Sequence, residues 1–428
     1  MSWFQWTERP TSALANGGVI GPDERLPWPQ TMAMGVQHVI AMFGATVLAP
    51  ILMGFDPNLA IFMSGIGTLI FYFVTGGKVP SYLGSSFAFI GVVIAATAYA
   101  GKGPNANIAV ALGAIIVCGL IYALIGLVVQ AVGTGWIEKL MPPVVTGAVV
   151  AVIGLNLAGI PIKNMAASNF DSWMQLVTFV CVALVAVFTK GMVQRLLILV
   201  GLALATVIYL VLANGMGLGK PMDFSGIIAA PWIGMPNFTA PVFDGGAMLL
   251  IAPVALILVA ENLGHIKAVQ AMTGRNLDPY IGRAFIGDGI ATMVSGAAGG
   301  TGVTTYAENI GVMAATRIYS TAVFVVAALM ALLLGFSPKF GAFIQAIPLP
   351  VMGGVSIVVF GLITIAGAKI WVDNKVDFTD PANLLTAAIT LVLGTGDFTL
   401  KFGSFALGGI GTATFGAVLL HALLRRRA

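Results

Sequence analysis

The chain reads as an all-α membrane protein of fourteen spanning segments in two inverted repeats of seven, with short extended segments in the third and tenth spans. Three observations predict this: scarcity of charge, the placement of the few basic residues, and a sequence echo between the halves. Of 428 residues, 58% are hydrophobic and only 8% charged, and the mean hydropathy is +0.99. A soluble domain carries about 25% charged residues because its outside meets water. Most of this outside cannot. The 54 glycines suit close helix contacts in lipid and helices that break in mid-membrane.

The elements follow in order. Residues 1–30 are polar, carry Pro10, Pro22, Pro27 and Pro29, and lack the apolar core of a signal peptide. They are read as a cytoplasmic segment, with the first span as insertion signal. Apolar runs of the length that crosses a bilayer core follow at 31–53, 58–75, 82–100, 106–131, 142–160, 172–189, 194–213, 247–266, 283–298, 301–316, 319–337, 348–368, 382–397 and 404–424. A plain hydropathy reading gives twelve, because the third and tenth are weak helices. With the N-terminus inside, fourteen spans place fifteen of the 20 Lys and Arg residues on the cytoplasmic side, ending in Arg425, Arg426 and Arg427. Only Lys102, Lys163, Lys220, Lys339 and Lys401 fall outside. Removing one span scrambles that asymmetry, so it supports both count and orientation.

The echo has two parts. Pro143-Val-Val-Thr-Gly147 with Gly154-Leu155 matches Pro350-Val-Met-Gly-Gly354 with Gly361-Leu362, and Ser85-Ser86-Phe87-Ala88 matches Thr304-Thr305-Tyr306-Ala307. An odd seven spans per copy inverts the second copy. Inverted repeats with paired irregular segments point to a transporter whose site lies where the repeats meet.

Ionisable groups inside a bilayer are costly and therefore candidates for function. Glu261 and His265 are four residues apart in an apolar run, on one helix face. A carboxyl beside an imidazole can take up a proton, pass it on, and hydrogen-bond a polar ligand; the alternative is a buried pair that fixes helix position. Glu308 follows Gly299-Gly-Thr-Gly-Val-Thr-Thr-Tyr-Ala, a poor helix former. It predicts an extended piece and then a half-helix near Glu308, with Gly84-Ser-Ser-Phe-Ala doing the same in the first half. Such backbone is tolerated at membrane depth only where it pairs internally or lines a cavity. The two pieces could pair and aim two half-helix N-termini at one point, flanked by Phe87 and Tyr306 as ring-packing or merely structural aromatics. Asn309 adds an amide. Two carboxyls, amides and aromatics suit a small, flat, neutral ligand with alternating N–H and C=O groups, as in a uracil-like ring, and repel an inorganic anion. Gln37-His38 is read as a brace near the site rather than a ligand contact, Asp288 as a supporting carboxylate or proton station, and His421 as interfacial. Cys118 and Cys181 lie singly in apolar runs, so a disulfide or metal site is not expected. The sequence pI near 9.1 does not signal nucleic-acid binding, since the basic residues are scattered.

These residues resemble the nucleobase–cation symporter-2 family, also called nucleobase–ascorbate transporters. The resemblance rests on Glu308-Asn-Ile-Gly311-Val-Met-Ala-Ala-Thr316-Arg317, on Gln37-His38 with Ala-Met-Phe-Gly-Ala-Thr-Val, and on Tyr82-Leu-Gly-Ser-Ser-Phe87-Ala-Phe. Ala260-Glu-Asn-Leu-Gly-His265 and Ile347-Pro-Leu-Pro-Val-Met-Gly-Gly354 extend it. It covers about 27–424 and is nearest to the family's pyrimidine-transporting members, including uracil–proton symporters. It implies a core domain (31–131 and 246–338) moving against a gate domain (132–245 and 339–428), in a homodimer joined through the gates, in the bacterial inner membrane with both termini cytoplasmic. It further implies that Glu261 and Glu308 bind the base, that His265 supports Glu261 in proton coupling, and that backbone near Phe87, Tyr306 and Ala307, with Ala45, completes the pocket. No cofactor is implied beyond the coupling proton. Two departures stand out: Ala307 replaces the Gly common in uracil symporters, and Phe360 replaces a gate Tyr. Purine-carrying relatives often have Gln at the position of Glu308, which favours pyrimidine. A purine or xanthine permease, a passive facilitator and an anion exchanger of the same architecture are the competing readings; a membrane enzyme lacks a nucleophile–base pair to support it.

Overall fold

A computed structural model describes residues 4–99, 103–402 and 405–425. Its helices are α1 (Trp28–Met53), α2 (Pro57–Val74), α3 (Ile90–Thr97), α4 (Ile108–Val132), α5 (Pro143–Leu157), α6 (Asn169–Phe188), α7 (Leu197–Leu210), α8 (Val254–Thr273), α9 (Ile281–Ala298), α10 (Ala307–Thr316), α11 (Thr321–Gly335), α12 (Pro338–Gln345), α13 (Leu349–Asp373), α14 (Pro381–Thr395) and α15 (Gly409–Arg425), with a few shorter turns between them. Local chemistry fixes many ends. Asp56 accepts from the Asn58 amide ahead of α2, with Pro57 opening the helix, and Ser168 and Asp171 form a reciprocal capping box on α6. α1 stops at Gly54, whose φ of 73° is left-handed and whose missing side chain leaves room for Tyr99 and Asn105.

Among the described residues, eight helical stretches are long and apolar enough to cross a bilayer, and nine if α11 and α12, bent by 83°, count as one. Phe87–Thr97, α14 and α15 are shorter apolar helices. Each expected segment therefore contains helix, but length and composition alone qualify eight or nine of the fourteen. α9 falls short because it carries Arg283 and Asp288, and the third and tenth segments because each begins as a strand.

Those strands, β1 (Leu83–Ser85) and β2 (Val303–Thr305), are fully buried and pair antiparallel, Leu83 opposite Thr305 and Ser85 opposite Val303. Neither strand reads as helix because Gly, Ser, Thr and Val give up side-chain or backbone freedom there. Each strand finishes its hydrogen bonds on a neighbour: the Leu83 amide donates to Thr68 Oγ1, the Val303 amide to Thr292 Oγ1, and the Tyr306 amide to the Tyr82 carbonyl. Without these partners, backbone at this depth would be orphaned at a cost of several kcal/mol.

The helices pack in two sets. α4 runs along α9, and α11 along α1 and α2; α5 runs along α13, and α6, α7, α14 and α15 complete that second set. Glycines allow the close crossings. A Cβ on Gly119 would stand 2.7 Å from the Gly289 carbonyl, and one on Gly126 2.8 Å from that of Gly282. In the other set Gly147 and Gly367 meet in the same way. This is the small-residue contact by which helices associate where no hydrophobic effect drives them together.

The N-terminal segment straps one end of the first set. Ile20 exchanges backbone hydrogen bonds with Arg317 and Tyr319, the Thr321 hydroxyl donates to the Pro22 carbonyl, and Trp6 Nε1 donates to Thr321 Oγ1. Ile20, Leu26, Ile318 and Val323 close a small apolar cluster beneath it.

Candidate functional site

The β1–β2 crossing positions the predicted residues. α10 starts immediately after β2, with Tyr306 as its N-cap but no side chain capping it. The first amides of α10 therefore keep the unsatisfied donor character of a helix N-terminus. The matching turn after β1 differs, because Ser86 Oγ accepts from the Ala88 amide. Ala307 is exposed and Glu308 half-buried on the first turn of α10. Both face a cavity of about 370 Å³ whose other walls include Ile40 and Gly44 of α1, Leu199 of α7, and Val359 and Leu362 of α13. Glu308 is the sole ionisable group among its lining residues.

Glu261, half-buried on α8, lies within electrostatic reach of both Glu308 and Asp288. It does not line that cavity, and neither do Phe87, Ala45 or Phe360. His265 makes no ion pair with Glu261 among the described residues; its Nδ1 instead shares a hydrogen bond of 2.8 Å with Thr305 Oγ1 on β2. The helix spacing was right, but a strand hydroxyl at the crossing takes the imidazole.

Asp288 is completely buried on α9 and accepts from Asn262 Nδ2 at 2.6 Å, while Asn262 also donates to Tyr122 at 2.8 Å. This trio ties α4, α8 and α9 together directly behind Glu261. His38 accepts at ring Nδ1 from Asn309 Nδ2 at 2.9 Å, and the same amide reaches the His38 carbonyl at 3.0 Å. Its neighbour Gln37 is buried with Nε2 unpartnered. Tyr306 does not flank an opening: its ring is buried, its hydroxyl donates to the Ser85 carbonyl at 2.8 Å, and Thr46 donates to it at 3.1 Å. Phe87 stands edge-on to Phe360, with ring centroids 6.1 Å apart, so an aromatic pair closes the space between the two helix sets near β1. Ala45 is buried on α1.

Sequence reasoning singled out most of these residues but not their partners. Asn262 follows Glu261 and Thr46 follows Ala45 within the family motifs, so adjacency is the signal that could find them. Tyr122 carries none, being one aromatic in a long apolar helix. Among the described residues no cluster of three or more His, Cys, Asp or Glu could hold a metal ion.

Carboxyls gathered beside two strands that interrupt a bundle of apolar helices, one carboxyl fully buried and two half-buried, suit a multi-pass membrane permease. Residues 29–402 match the Permease family model, Xan_ur_permease, and the chain belongs to that family. It is 67% identical over 422 residues to "Putative pyrimidine permease RutG" of Escherichia coli (strain K12), covering 99% of this chain and 95% of that protein. It is 40% identical over 415 residues to a protein named uracil permease from Paenibacillus larvae subsp. larvae, covering 94% of this chain and 96% of that one. These relatives are permeases, and the chain is a transporter rather than an enzyme. The fold recurs in the transmembrane domain of the cyanobacterial bicarbonate transporter BicA, with a TM-score of 0.64 at 15% identity over 92% of this chain and 97% of that one. SLC26A9 gives 0.68 at 12% identity over 93% and 65%.

Proposed function

We propose that the protein takes up uracil or a closely related pyrimidine base together with protons. One observation carries the reading: the carboxyl of Glu308 and the uncapped start of α10 meet an otherwise apolar cavity between the two helix sets. A flat neutral base presents both N–H and C=O groups, so it can donate to a carboxylate and accept from helix amides in one pose. An inorganic anion would instead meet the carboxyl of Glu308, with that of Glu261 within electrostatic reach, which argues against the anion substrate named for BicA. The names of the similar permeases point the same way.

That cavity's position, between the two helix sets, supports a reading of alternating access. The set built from 31–131 and 246–338 acts as the core and carries the carboxyls; the set from 132–245 and 339–428 acts as the gate and supplies the facing apolar wall. The core slides against the gate, carrying the base past it in a chain of fourteen spans with both termini in the cytoplasm of a bacterium, as a homodimer joined through the gates. Packing supports the division, since α4 with α9 and α5 with α13 are extensive contacts inside one set each. Glu261 is the coupling group: an ionisable carboxyl in a spanning helix, within electrostatic reach of Glu308 and Asp288, that can take up and release a proton.

Uptake of radiolabelled uracil in permease-null cells, with and without a protonophore, tests both parts. Accumulation that persists after the proton gradient collapses removes the coupling. A competition panel separates the substrate classes, because xanthine outcompeting uracil would make this a purine permease.

A further inference from the structure

The N-terminal strap walls a second cavity, of about 860 Å³, on the membrane face where the chain begins. Trp6, Asp23, Arg25, Trp28, Tyr72 and Lys78 are among its lining residues. Trp28 opens α1 and Tyr72 lies near the end of α2, so the cavity sits where spanning helices pass from lipid to water, the depth that aromatic side chains favour. Phe73, next to Tyr72, is exposed on the same rim.

Most of the charges around this cavity are already matched. Arg25 lies 4.6 Å above the Trp28 ring and pairs with Glu8 at 2.7 Å. Asp23 pairs with Arg275 at 2.6 Å. Lys78 is exposed and enters no ion pair among the described residues, its charge reaching Asp23 only through space. Arg283, whose guanidinium would be 3.6 Å from a Cβ on the wall residue Gly76, enters none either. With the one acid in the lining neutralised by Arg275, the cavity presents net positive charge over an aromatic floor.

We propose that this cavity seats the phosphate headgroup of an anionic phospholipid from the adjoining leaflet. Lys78 is its direct counter-charge, Arg283 reinforces it from behind Gly76, and the Trp6 and Trp28 rings pack on the glycerol and the first acyl carbons. Basic pockets between spanning helices are a general form of headgroup site. Free phosphate shares the charge but would leave the aromatic walls wet. The strap that forms one wall also holds Arg317 and Tyr319, at the end of the half-helix bearing Glu308. An occupied site therefore steadies the far end of α10. The proposal stands apart from the choice of transported substrate.

Native mass spectrometry and thermal unfolding of the full chain, titrated with phosphatidylglycerol, phosphatidylcholine or inorganic phosphate, test it. Phosphatidylglycerol is expected to stay bound and to raise the unfolding temperature, where phosphatidylcholine and inorganic phosphate do not. Lys78→Gln should weaken phosphatidylglycerol roughly fivefold, the weight of one cation near a charged bilayer surface, with a comparable further loss on adding Arg283→Gln. Lys78→Arg should retain binding, which separates lost charge from a damaged fold. Undiminished binding by the double variant overturns the proposal, as does equal protection by phosphatidylcholine. Equal protection by inorganic phosphate would replace the lipid with a free anion and overturn it too.

Discussion

The amide of Asn309 bridges two groups of one residue, the ring Nδ1 of His38 and its backbone carbonyl, at 2.9 and 3.0 Å. The carbonyl can only accept, so it fixes which end of the amide points there, and Nδ1 must accept as well. His38 is therefore the neutral tautomer with its proton on Nε2, a buried atom without a partner. The bridge ties α1 to the second residue beyond Ala307 on the half-helix. Asn309→Ala should strand both acceptors, costing about 1–3 kcal/mol of stability. Asn309→Asp should be worse than its size suggests, because a carboxylate cannot donate to either group. Thermal unfolding of the two variants decides it, and an Asp variant as stable as the parent would show that the amide is not donating.

The strand crossing depends on Gly84. A Cβ there would lie 2.5 Å from the Tyr306 ring and 2.7 Å from Thr46 Oγ1, while the Tyr306 hydroxyl is already bound to Ser85 and Thr46. Gly84→Ala should force the ring or the strand aside at a cost of about 1–3 kcal/mol. Tyr306→Phe keeps the shape and loses the hydroxyl, and should cost about 1 kcal/mol. Ranking the two by unfolding temperature checks the assignment of Tyr306 as a brace. If Tyr306→Phe instead abolishes substrate binding with stability intact, the hydroxyl acts on the ligand.

Much of this was legible in the sequence because the bilayer narrows the possibilities. Gly and β-branched residues at membrane depth, at 84–88 and 299–307, could be only a paired extended segment or an error, and they pair. Glu261, Asp288 and Glu308 stood out because charge is rare in apolar helices, and they do converge. What stayed hidden is pairwise. The i, i+4 spacing of Glu261 and His265 puts them on one face, but nothing local shows that Thr305, forty residues on, sits nearer the imidazole. Tyr306 reads like a ligand-facing aromatic by analogy with Phe87, yet the tight approach of Gly84 turns its ring into the interior. α9, expected as the span 283–298, forms an 18-residue helix, yet its Arg283 and Asp288 lower its hydropathy so that length and composition alone do not qualify it.

Removal of either site carboxyl should separate binding from folding. Glu308 lines the cavity and is half-buried, so Glu308→Ala should leave the fold intact and weaken uracil by about 10- to 150-fold, the value of one hydrogen bond to a charged group. Glu261→Gln should keep hydrogen-bonding capacity yet lose proton-driven accumulation. Equilibrium binding to the purified protein and uptake into energised cells give the two readouts. Unchanged affinity in Glu308→Ala would move the site away from α10.

The strap should loosen in acid through Asp23. Burial alone would lift its carboxyl, but the hydrogen bond from Arg275, a backbone donor and the charges of Arg275 and Lys78 outweigh it and hold the group below its usual 3.8. A depressed carboxyl stabilises the docked strap fully above the unfolded value, and that contribution fades as pH falls through the lower folded value. Both partners are about half exposed, so the pair is worth no more than about 1 kcal/mol and weakens further with salt. Asp23→Asn should therefore reproduce at pH 7 the loosening that acid causes in the parent, speeding tryptic cleavage after Arg25, which precedes Leu26, by up to about fivefold. It should also remove most of the salt sensitivity of that cleavage. Identical cleavage of parent and variant at low salt would mean that Ile20 and Trp6 hold the strap without help from the ion pair.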